Sequence, residues 1–321
     1  MMPSARPLQT HLPKHDRAPG LWPPQNLLPV RDRQTGADGT RKLLLELADG
    51  QSVETVIMDM PKSHTVCLST QVGCPVGCTF CRTGGSGFVR NLTAGELLAQ
   101  IATAGEELRA ATGRLPERAV FMGMGEPLLN FTALRGCLEN LARASGPHLS
   151  WRKILVSTVG IPERLDELGR LRLALPAVSL HAPTQDLRDR LMPGARAWPL
   201  RELMPAMLRY PLPGRERMTV EYILIRDAND ADRHARQLHE LLGDMRAKIN
   251  LIPCNPVPGA PHRAPDRERT EGFAAALKAL GRTAFVRRSH GPDIMAACGQ
   301  LRGRHRADDA GTGCTQQETR A

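Results

Sequence analysis

The sequence lacks the features of a membrane or secreted protein. It contains no apolar run of about 18 residues, and its N-terminus has no apolar stretch of the signal-peptide type. We therefore expect a cytoplasmic protein that contacts no membrane. Because the cytoplasm is reducing, we expect the eight cysteines to be ligands, catalysts or buried thiols rather than a disulfide framework.

Aromatic side chains are also scarce. They make up only 3% of the residues, which disfavours a surface of base-stacking platforms such as that of an RRM sheet. Basic residues outnumber acidic ones by 43 to 33, so the formal net charge is +10. Such a balance suits a polyanionic partner such as RNA, but an arginine-rich composition alone would produce the same charge. Charge therefore leaves both interpretations open.

Strand-like and helical stretches alternate along most of the 321 residues. The clearest helix is AGELLAQIATAGEELRAA, which Thr93 and Glu96 introduce as a capping box. The strand-like runs are HTVCLSTQ, RAVFMGM, KILVST, AVSLHA, MTVEYILI, KINLIP and TAFVRRS. Six β-α units in succession imply an α/β fold with a parallel sheet, either open or closed into a partial barrel.

The sequence divides into four predicted segments. Residues 1–40 are rich in proline, glycine and basic residues and are predicted to be an irregular lead-in. Residues 41–60 are predicted to form a β-hairpin around Asp49-Gly50. Residues 61–290 carry the β-α units. Residues 291–321 contain Cys298 and a tail that we expect to be disordered, in which Cys314 is a bystander.

Residues 73–81 read GCPVGCTFC and place Cys74, Cys78 and Cys81 in one loop after the first strand of the β-α units. Loops at the carboxyl ends of parallel strands form the sites of α/β folds. A zinc ribbon would need a second cysteine pair, and Cys78–Cys81 is the sole C-x2-C pair. An isolated structural zinc is the alternative. The pattern favours a 4Fe-4S cluster held by three thiolates, whose open iron can bind a chelating ligand.

The C-x3-C-x2-C spacing, with Phe80 before its last cysteine, resembles the signature of the radical SAM superfamily. In that superfamily the open iron binds the amino and carboxylate groups of S-adenosylmethionine (SAM), and reduction releases a 5′-deoxyadenosyl radical. Five separated segments also resemble the RlmN/Cfr family of radical SAM RNA methyltransferases, from about residue 42 to residue 303. They are CLSTQVGCPVGCTFCRTGGSGFVRNLT, MGMGEPLLN, SLHAP, NLIPCNPVPGAP and AACGQL. The resemblance implies a radical SAM partial (β/α)6 barrel with an N-terminal β-hairpin extension.

The same resemblance implies a set of SAM-binding residues. Gly125 and Glu126 would contact the SAM amino group, because glycine lets the backbone approach and a carboxylate accepts from an ammonium. Asn255 would hold the adenosine end of SAM. The other residues that match SAM contacts of the family are Ser157, Ser179, Leu180 and His181.

Three further residues match catalytic positions of the family. Cys298 matches the cysteine that carries the methyl group, and Cys67 matches the thiol that later forms a disulfide with it. Glu54 matches the general base. Cys137 and Cys254 match no family function, and we predict that Cys137 packs within a helix.

The resemblance implies methylation of an adenine ring carbon, carbon 2 or else carbon 8, in rRNA or tRNA. It also implies an external electron donor such as flavodoxin or ferredoxin, and we expect a monomer. Only about fifty residues precede Glu54, fewer than in housekeeping members of the family, which puts the RNA target in doubt. One alternative is a radical SAM methylase of a small molecule or a protein. Another, a non-catalytic iron-sulfur RNA-binding or redox-sensing protein, has no use for Cys67, Cys298 and Glu54.

Overall fold

The computed structural model describes residues 27–60, 63–142, 149–214 and 216–303. The strands are β1 Val30–Thr35, β2 Arg41–Glu46, β3 Ser52–Met60, β4 Ser63–Cys67, β5 Gln71–Gly73, β6 Phe88–Asn91, β7 Arg118–Phe121, β8 Ile154–Thr158, β9 Leu175–Ser179, β10 Met218–Leu224, β11 Ala247–Pro253 and β12 Thr283–Val286. The α-helices are α1 Arg82–Gly85, α2 Ala94–Thr112, α3 Phe131–Ala142, α4 Pro162–Leu171, α5 Gln185–Leu191, α6 Leu200–Arg209, α7 Asp232–Leu242 and α8 Arg267–Ala279.

Ten of these strands form one sheet in the order β1-β2-β3-β4-β7-β8-β9-β10-β11-β12. From β4 to β12 every neighbouring pair is parallel. The predicted α/β fold with a parallel sheet is therefore confirmed. Because parallel strands need long crossovers, helices lie between most of them along the chain. The carboxyl ends of these strands thus meet at one edge, which is where the predicted site residues follow them.

The N-terminal strands extend this sheet in the antiparallel sense. β2 and β3 pair around Asp49-Gly50, as predicted, and β3 continues the pairing onto β4. The irregular lead-in predicted up to residue 40 is wrong for its last part, because Val30–Thr35 forms β1 against β2. The sequence VRDRQT has no apolar alternation, and most of its residues are exposed. Charged side chains are common on edge strands, so the hydrophobic pattern could not show this one.

Two predictions at the termini concern residues outside the described part of the chain. The rest of the irregular lead-in falls on residues 1–26, and the disordered tail with Cys314 falls on residues 304–321. Within the described ranges, no helix combines the length and the apolar character that crossing a membrane requires.

The predicted capping box of α2 is confirmed. The Thr93 hydroxyl accepts from the backbone N–H of Glu96 at 3.1 Å, and the Glu96 carboxylate accepts from that of Thr93 at 2.8 Å. Buried Gln100 joins this helix to the sheet, because its amide accepts from the Thr55 hydroxyl and donates to the Ser69 carbonyl. These bonds fix α2 beside the segment that leads from β4 to the cysteine loop.

Helices cover the outer face of the parallel strands. Tyr222 of β10 stacks on Phe273 of α8, with ring centroids 5.6 Å apart, and both side chains are fully buried. Cys137 is likewise buried in α3, as predicted. Because side chains alternate along a strand, the neighbours of Tyr222 in β10 face the opposite, inner side of the sheet.

Candidate functional site

The cysteine loop begins directly after β5. Gly73 has a φ of +76°, and a side chain there would overlap the Gly87 carbonyl, to which Cys74 donates its N–H at 2.7 Å. Farther along the loop, the Thr79 N–H donates to the Leu191 carbonyl at 2.9 Å. The loop is thus tied at its start to β6 and in its middle to the end of α5.

The three thiols of this loop are partly buried and close enough to influence one another. Burial raises the pKa of Cys78 well above its usual value, and the Cys81 and Cys74 thiols raise it further. Burial likewise raises the pKa of Cys74 to about 12. Burial thus disfavours the thiolate forms of these cysteines, whereas a cationic cluster would stabilise those forms as its ligands.

The arrangement of these thiols differs from a site for one metal ion. Within the described residues, no group of three or more His, Cys, Asp and Glu side chains could hold a metal ion. A 4Fe-4S cluster makes a different demand, because each thiolate binds a different iron atom. Three cysteines in one loop would suit such a cluster, which remains a prediction for this chain.

Gly125 and Glu126 follow β7, beside the segment that precedes the cysteine loop. Gly125 has a φ of +97°, and a Cβ atom there would lie 2.6 Å from the Gln71 side chain, so glycine is required. The buried Glu126 carboxylate accepts from the Thr158 hydroxyl at 2.6 Å and from the backbone N–H groups of Val159 and Leu128. Burial raises its pKa to about 7, although these donors oppose the shift.

These contacts add a structural role to the cofactor contact predicted for Glu126. The carboxylate joins the turn after β7 to the turn after β8, and it begins the short 3-10 helix at Pro127–Asn130. It also raises the pKa of Cys74 and Cys78, which places it beside the cysteine loop. Contact with the SAM amino group remains a prediction for Gly125 and Glu126.

Ser157, Ser179, Leu180 and His181 lie at the ends of two neighbouring strands. The hydroxyl oxygens of Ser157 and Ser179 are 3.3 Å apart. Leu180 is fully buried, and its N–H donates to the Glu221 carbonyl at 3.0 Å. The four residues therefore lie together at the ends of β8 and β9, and their role as SAM contacts remains a prediction.

His181 is held in one orientation and one charge state. It has a φ of +58°, its Nδ1 accepts from the Ile223 N–H at 3.1 Å, and its ring meets that of Phe80 edge-on. Burial lowers the pKa of His181 to about 3, and the Arg188 guanidinium lowers it too. At neutral pH His181 therefore presents an uncharged ring to the cysteine loop.

Cys67 and Cys298, which are far apart in the sequence, come within electrostatic range of each other. Cys67 ends β4, and burial raises its pKa to about 12, with a further increase from the Cys298 thiol. Cys298 is an exposed residue. Nevertheless, desolvation by the protein around its thiol raises its pKa, and the Arg287 guanidinium opposes that shift. Cys298 thus combines exposure of the residue with protein neighbours that influence its thiol.

The segment around Cys298 packs on the cysteine loop. The Arg82 N–H donates to the Gly299 carbonyl at 2.7 Å, and the Thr83 hydroxyl donates to the Leu301 carbonyl. Asn255 holds the same segment, because its Nδ2 donates to the Cys298 carbonyl at 3.0 Å. The structure therefore brings the predicted methyl carrier, its predicted thiol partner and the three predicted cluster ligands to one place.

Comparison with known proteins agrees with this geometry. The family model of the radical SAM superfamily matches residues 68–238. A dual-specificity RNA methyltransferase RlmN of Solidesulfovibrio magneticus is 49% identical over 277 residues, which are 86% of this chain and 79% of that protein. Its namesake in Nitratidesulfovibrio vulgaris is 47% identical over 90% of this chain and 80% of that protein. The chain belongs to the RlmN/Cfr family of radical SAM enzymes.

A solved structure of the same kind supports the fold. A radical SAM methyltransferase from Sphaerobacter thermophilus superposes with a TM-score of 0.83 at 45% identity, covering 86% of this chain and 82% of that one. The predicted radical SAM fold with its N-terminal hairpin extension is confirmed, because the hairpin strands β2 and β3 continue the sheet that ends in β12.

Glu54, the base predicted from the RlmN/Cfr resemblance, lies on β3 and is 8% exposed. Its carboxylate pairs with Lys42 Nζ at 3.0 Å and accepts from the N–H of Arg302 at 2.7 Å. It also accepts from the N–H of Gly303 at 3.3 Å. These residues line a cavity of about 170 Å³ that Arg82 also borders. Glu54 is thus linked to the segment that follows Cys298.

Arg188 is an interior residue that the sequence analysis missed. It is fully buried in α5, and its guanidinium donates to the carbonyls of Val159, Ala195 and Trp198. It lowers the pKa of Cys78 and so places a positive charge beside the cysteine loop of this RlmN/Cfr family member. One signal for it was available, because Arg188 shares a helix face with buried Leu191.

Proposed function

We propose that this protein methylates a ring carbon of an adenine in RNA, with carbon 2 as the target and Cys298 as the methyl carrier. Its family membership already makes it a SAM-dependent radical RNA methyltransferase. The observation that supports the finer proposal is that the Cys298 thiol lies within electrostatic range of both Cys67 and Cys81. A radical enzyme without a covalent carrier needs no such pair of thiols.

The target explains why a covalent carrier is useful. An adenine ring carbon between two nitrogens is electrophilic, and ordinary methyl transfer from SAM needs a nucleophilic acceptor. A thiolate is such an acceptor, and Cys298 is an exposed cysteine. Desolvation raises the pKa of its thiol, and the Arg287 guanidinium opposes that shift. We infer that Cys298 first takes a methyl group by displacement and later presents it to the ring.

The residues around the cysteine loop fit the cofactors that this reaction needs. Cys74, Cys78 and Cys81 would hold a 4Fe-4S cluster, which with SAM would supply a radical able to remove hydrogen from the S-methyl group. The SAM contacts proposed for this chain are Gly125, Glu126, Ser157, Ser179, Leu180, His181 and Asn255.

The remaining steps belong to side chains of this protein. Addition of the Cys298 methylene radical to the ring would make a protein–RNA adduct that still carries one unpaired electron. The adduct would lose that electron to a one-electron acceptor, a role that the oxidised cluster could serve, and Glu54 would accept the proton of the ring carbon. The Cys67 thiolate attacks Sγ of Cys298, so that the sulfur–carbon bond breaks and a disulfide forms. The bonding electrons stay with the methylene carbon, which takes up a proton to become the new methyl group. An external dithiol must then reduce the disulfide.

The partners proposed for this reaction are an rRNA or tRNA and an external electron donor such as flavodoxin or ferredoxin. The formal charge of +10 supports a polyanionic substrate. We propose a cytoplasmic monomer. Methylation at carbon 8 of adenine, or of a substrate other than RNA, would use the same thiols and is the alternative.

Mass spectrometry of RNA nucleosides tests the proposal. RNA from a strain that lacks this gene should contain less 2-methyladenosine than RNA from its parent. The intact gene should restore the modification, and the Cys298→Ala gene should not. A change in 8-methyladenosine instead would assign the other carbon. Unchanged adenines, with SAM cleavage by the reduced protein intact, would show that the substrate is not RNA.

A further inference from the structure

Glu221 is a buried carboxylate on the inner face of the sheet. It lies in β10 next to Tyr222, whose ring packs on α8 at the outer face, so Glu221 points to the other side. Its register partners are Ser179 in β9 and Asn250 in β11. Asn250 Nδ2 donates to Glu221 Oε1 at 2.9 Å, which shows that both side chains occupy the inner face.

Among the described residues, the protein provides a hydrogen-bond donor to only one oxygen of this carboxylate. Glu221 is 3% exposed, and Arg287 Nη1 lies 4.0 Å from Oε1, which is longer than a hydrogen bond. Within the described residues, Oε2 is buried and has no hydrogen-bond partner. Buried carboxylate oxygens are normally bonded, because leaving one unpaired is unfavourable. An oxygen of this kind is therefore suited to a ligand that brings a hydrogen-bond donor.

The unpaired oxygen limits the groups that can meet it. Burial raises the pKa of Glu221, and the Arg287 guanidinium, Asn250 and the Lys248 ammonium oppose that shift. Carboxylate oxygens accept hydrogen bonds from N–H and O–H groups. The ligand group that meets Oε2 should therefore be an amine or a hydroxyl.

The position of Glu221 indicates which ligand can reach it. Its register partner Ser179 lies 3.3 Å from Ser157, and both are proposed SAM contacts. The Glu221 carboxylate also raises the pKa of the exposed Cys298 thiol, which the target base must approach. Glu221 thus stands next to one proposed cofactor contact, Ser179, and within electrostatic range of the proposed methyl carrier.

We propose that Glu221 is an adenosine-binding residue, whose Oε2 accepts a hydrogen bond from the exocyclic amine or a ribose hydroxyl. The inference rests on the proposed function, which brings two adenosines to this face of the sheet, one within SAM and one within RNA. Both carry these donors, and carboxylates pair well with amines and with ribose hydroxyls.

The test measures the binding of SAM and the binding of RNA separately, because each contains an adenosine. Glu221→Gln keeps the shape of the side chain but removes its charge, and exposed Glu202→Gln is the matched control. SAM affinity is measured by equilibrium dialysis with the cluster-loaded protein. The KM for RNA is measured with unmodified RNA from a strain that lacks the gene. Iron content and Tm are recorded for each protein sample.

Loss of a hydrogen bond to a charged group should weaken binding about tenfold or more. A loss confined to SAM affinity assigns Glu221 to the cofactor, and a raised KM with normal SAM affinity assigns it to the RNA. Changes below about twofold in both measurements overturn the proposal. If the unaltered protein modifies no RNA, the proposed function fails, while the SAM measurement still decides whether Glu221 binds the cofactor.

A second measurement holds even if Glu221→Gln folds poorly. The unaltered protein is compared on SAM analogues that lack the exocyclic amine, the 2′-hydroxyl or the 3′-hydroxyl, and on transcripts made with a deaminated purine. Removal of the donor that meets Glu221 should weaken binding about tenfold. The proposal is overturned if every analogue binds within about twofold of its parent compound.

Discussion

Asn255 Nδ2 donates a hydrogen bond to the backbone carbonyl of Cys298 at 3.0 Å, and Asn255 Oδ1 accepts one from the Ser289 hydroxyl at 2.6 Å. The residue predicted to hold the adenosine of SAM thus holds the backbone of the predicted methyl carrier. The two roles are compatible, because the amide group has more than two bonding positions. They are nevertheless separable by experiment.

Asn255→Ala should slow methyl loading of Cys298 about tenfold, because the loop loses the bond that fixes its carbonyl. Loading is measured by mass spectrometry of the Cys298 peptide after incubation with SAM. Asn140→Ala, which removes a side-chain bond to the Gly136 carbonyl on α3, is the control. A loss of SAM affinity with normal loading at saturating SAM would instead assign Asn255 to the cofactor alone.

The three cysteines of residues 73–81 should each be required for iron binding. After anaerobic reconstitution the protein should hold four irons and four sulfides, and Cys74→Ala, Cys78→Ala or Cys81→Ala should lose them. Cys137→Ala is the control, because Cys137 is buried in α3. Iron and sulfide analysis decides the matter. Stoichiometric zinc in an active protein would refute the cluster.

The Lys42–Glu54 ion pair should contribute to stability as a unit. Both side chains are largely buried, at 8% and 11% exposure, and their charged atoms are 3.0 Å apart. Lys42→Met should destabilise the protein by about 3 kcal/mol, because it leaves a buried carboxylate without its cation. Adding Glu54→Gln should restore part of that loss, as measured by urea unfolding.

The exposed pair of Arg31 and Glu46 provides the matched control. Arg31→Met should cause no measurable loss, because solvent screens surface pairs. Equal losses for Lys42→Met with and without Glu54→Gln would show that the two residues are not coupled.

Stability should fall in mild acid because of His181. Its pKa is about 3 in the folded protein, against 6.5 when unfolded, so between these values only the unfolded chain binds the proton. The stability contributed by the neutral ring is therefore complete above pH 6.5 and is lost as the pH falls. At pH 5 the loss should be about 2 kcal/mol relative to pH 8.

His181→Asn isolates this effect. Asparagine tolerates the φ of +58° and offers an oxygen to the Ile223 N–H, but it does not titrate. Urea unfolding of both proteins at pH 8 and pH 5 should show a smaller decrease for the variant. Parallel decreases would mean that other groups account for the acid sensitivity.

The sequence predicted those parts of the molecule that repeat or that match a known motif. The parallel strands after residue 63, the capping box of Thr93 and Glu96 and the hairpin at Asp49-Gly50 all have local signals, and the structure contains each of them. β1 was missed, because VRDRQT pairs through its backbone at an exposed edge and has no hydrophobic period.

The polar contacts inside the site could not be predicted in the same way. Pairing of Lys42 with Glu54 and of Asn250 with Glu221 depends on the register between strands. The buried charge of Arg188 depends on how α5 packs. A single sequence gives residue types along a strand, but it does not state which residues of neighbouring strands stand side by side.

Cys67→Ala tests the mechanism itself. Cys67 ends β4, and the Cys298 thiol raises its pKa, so the two thiols lie within electrostatic range of each other. The variant should still accept a methyl group on Cys298 and still couple to RNA. It should not release the product, because no thiol remains to attack the carrier sulfur. A covalent protein–RNA species should accumulate, which ribonuclease trims to a modified nucleotide on Cys298.

Two further variants test at which step of the reaction Cys298 and Glu54 act. Cys298→Ala should form no adduct, because the carrier sulfur is absent. Glu54→Ala should trap the adduct as Cys67→Ala does, because removal of the ring proton precedes release. Iron content is measured on each sample, since a purely structural Cys67 would yield a poorly folded protein without its cluster. Normal multiple turnover by Cys67→Ala, with methylated adenine as product, would rule out its role as the releasing thiol.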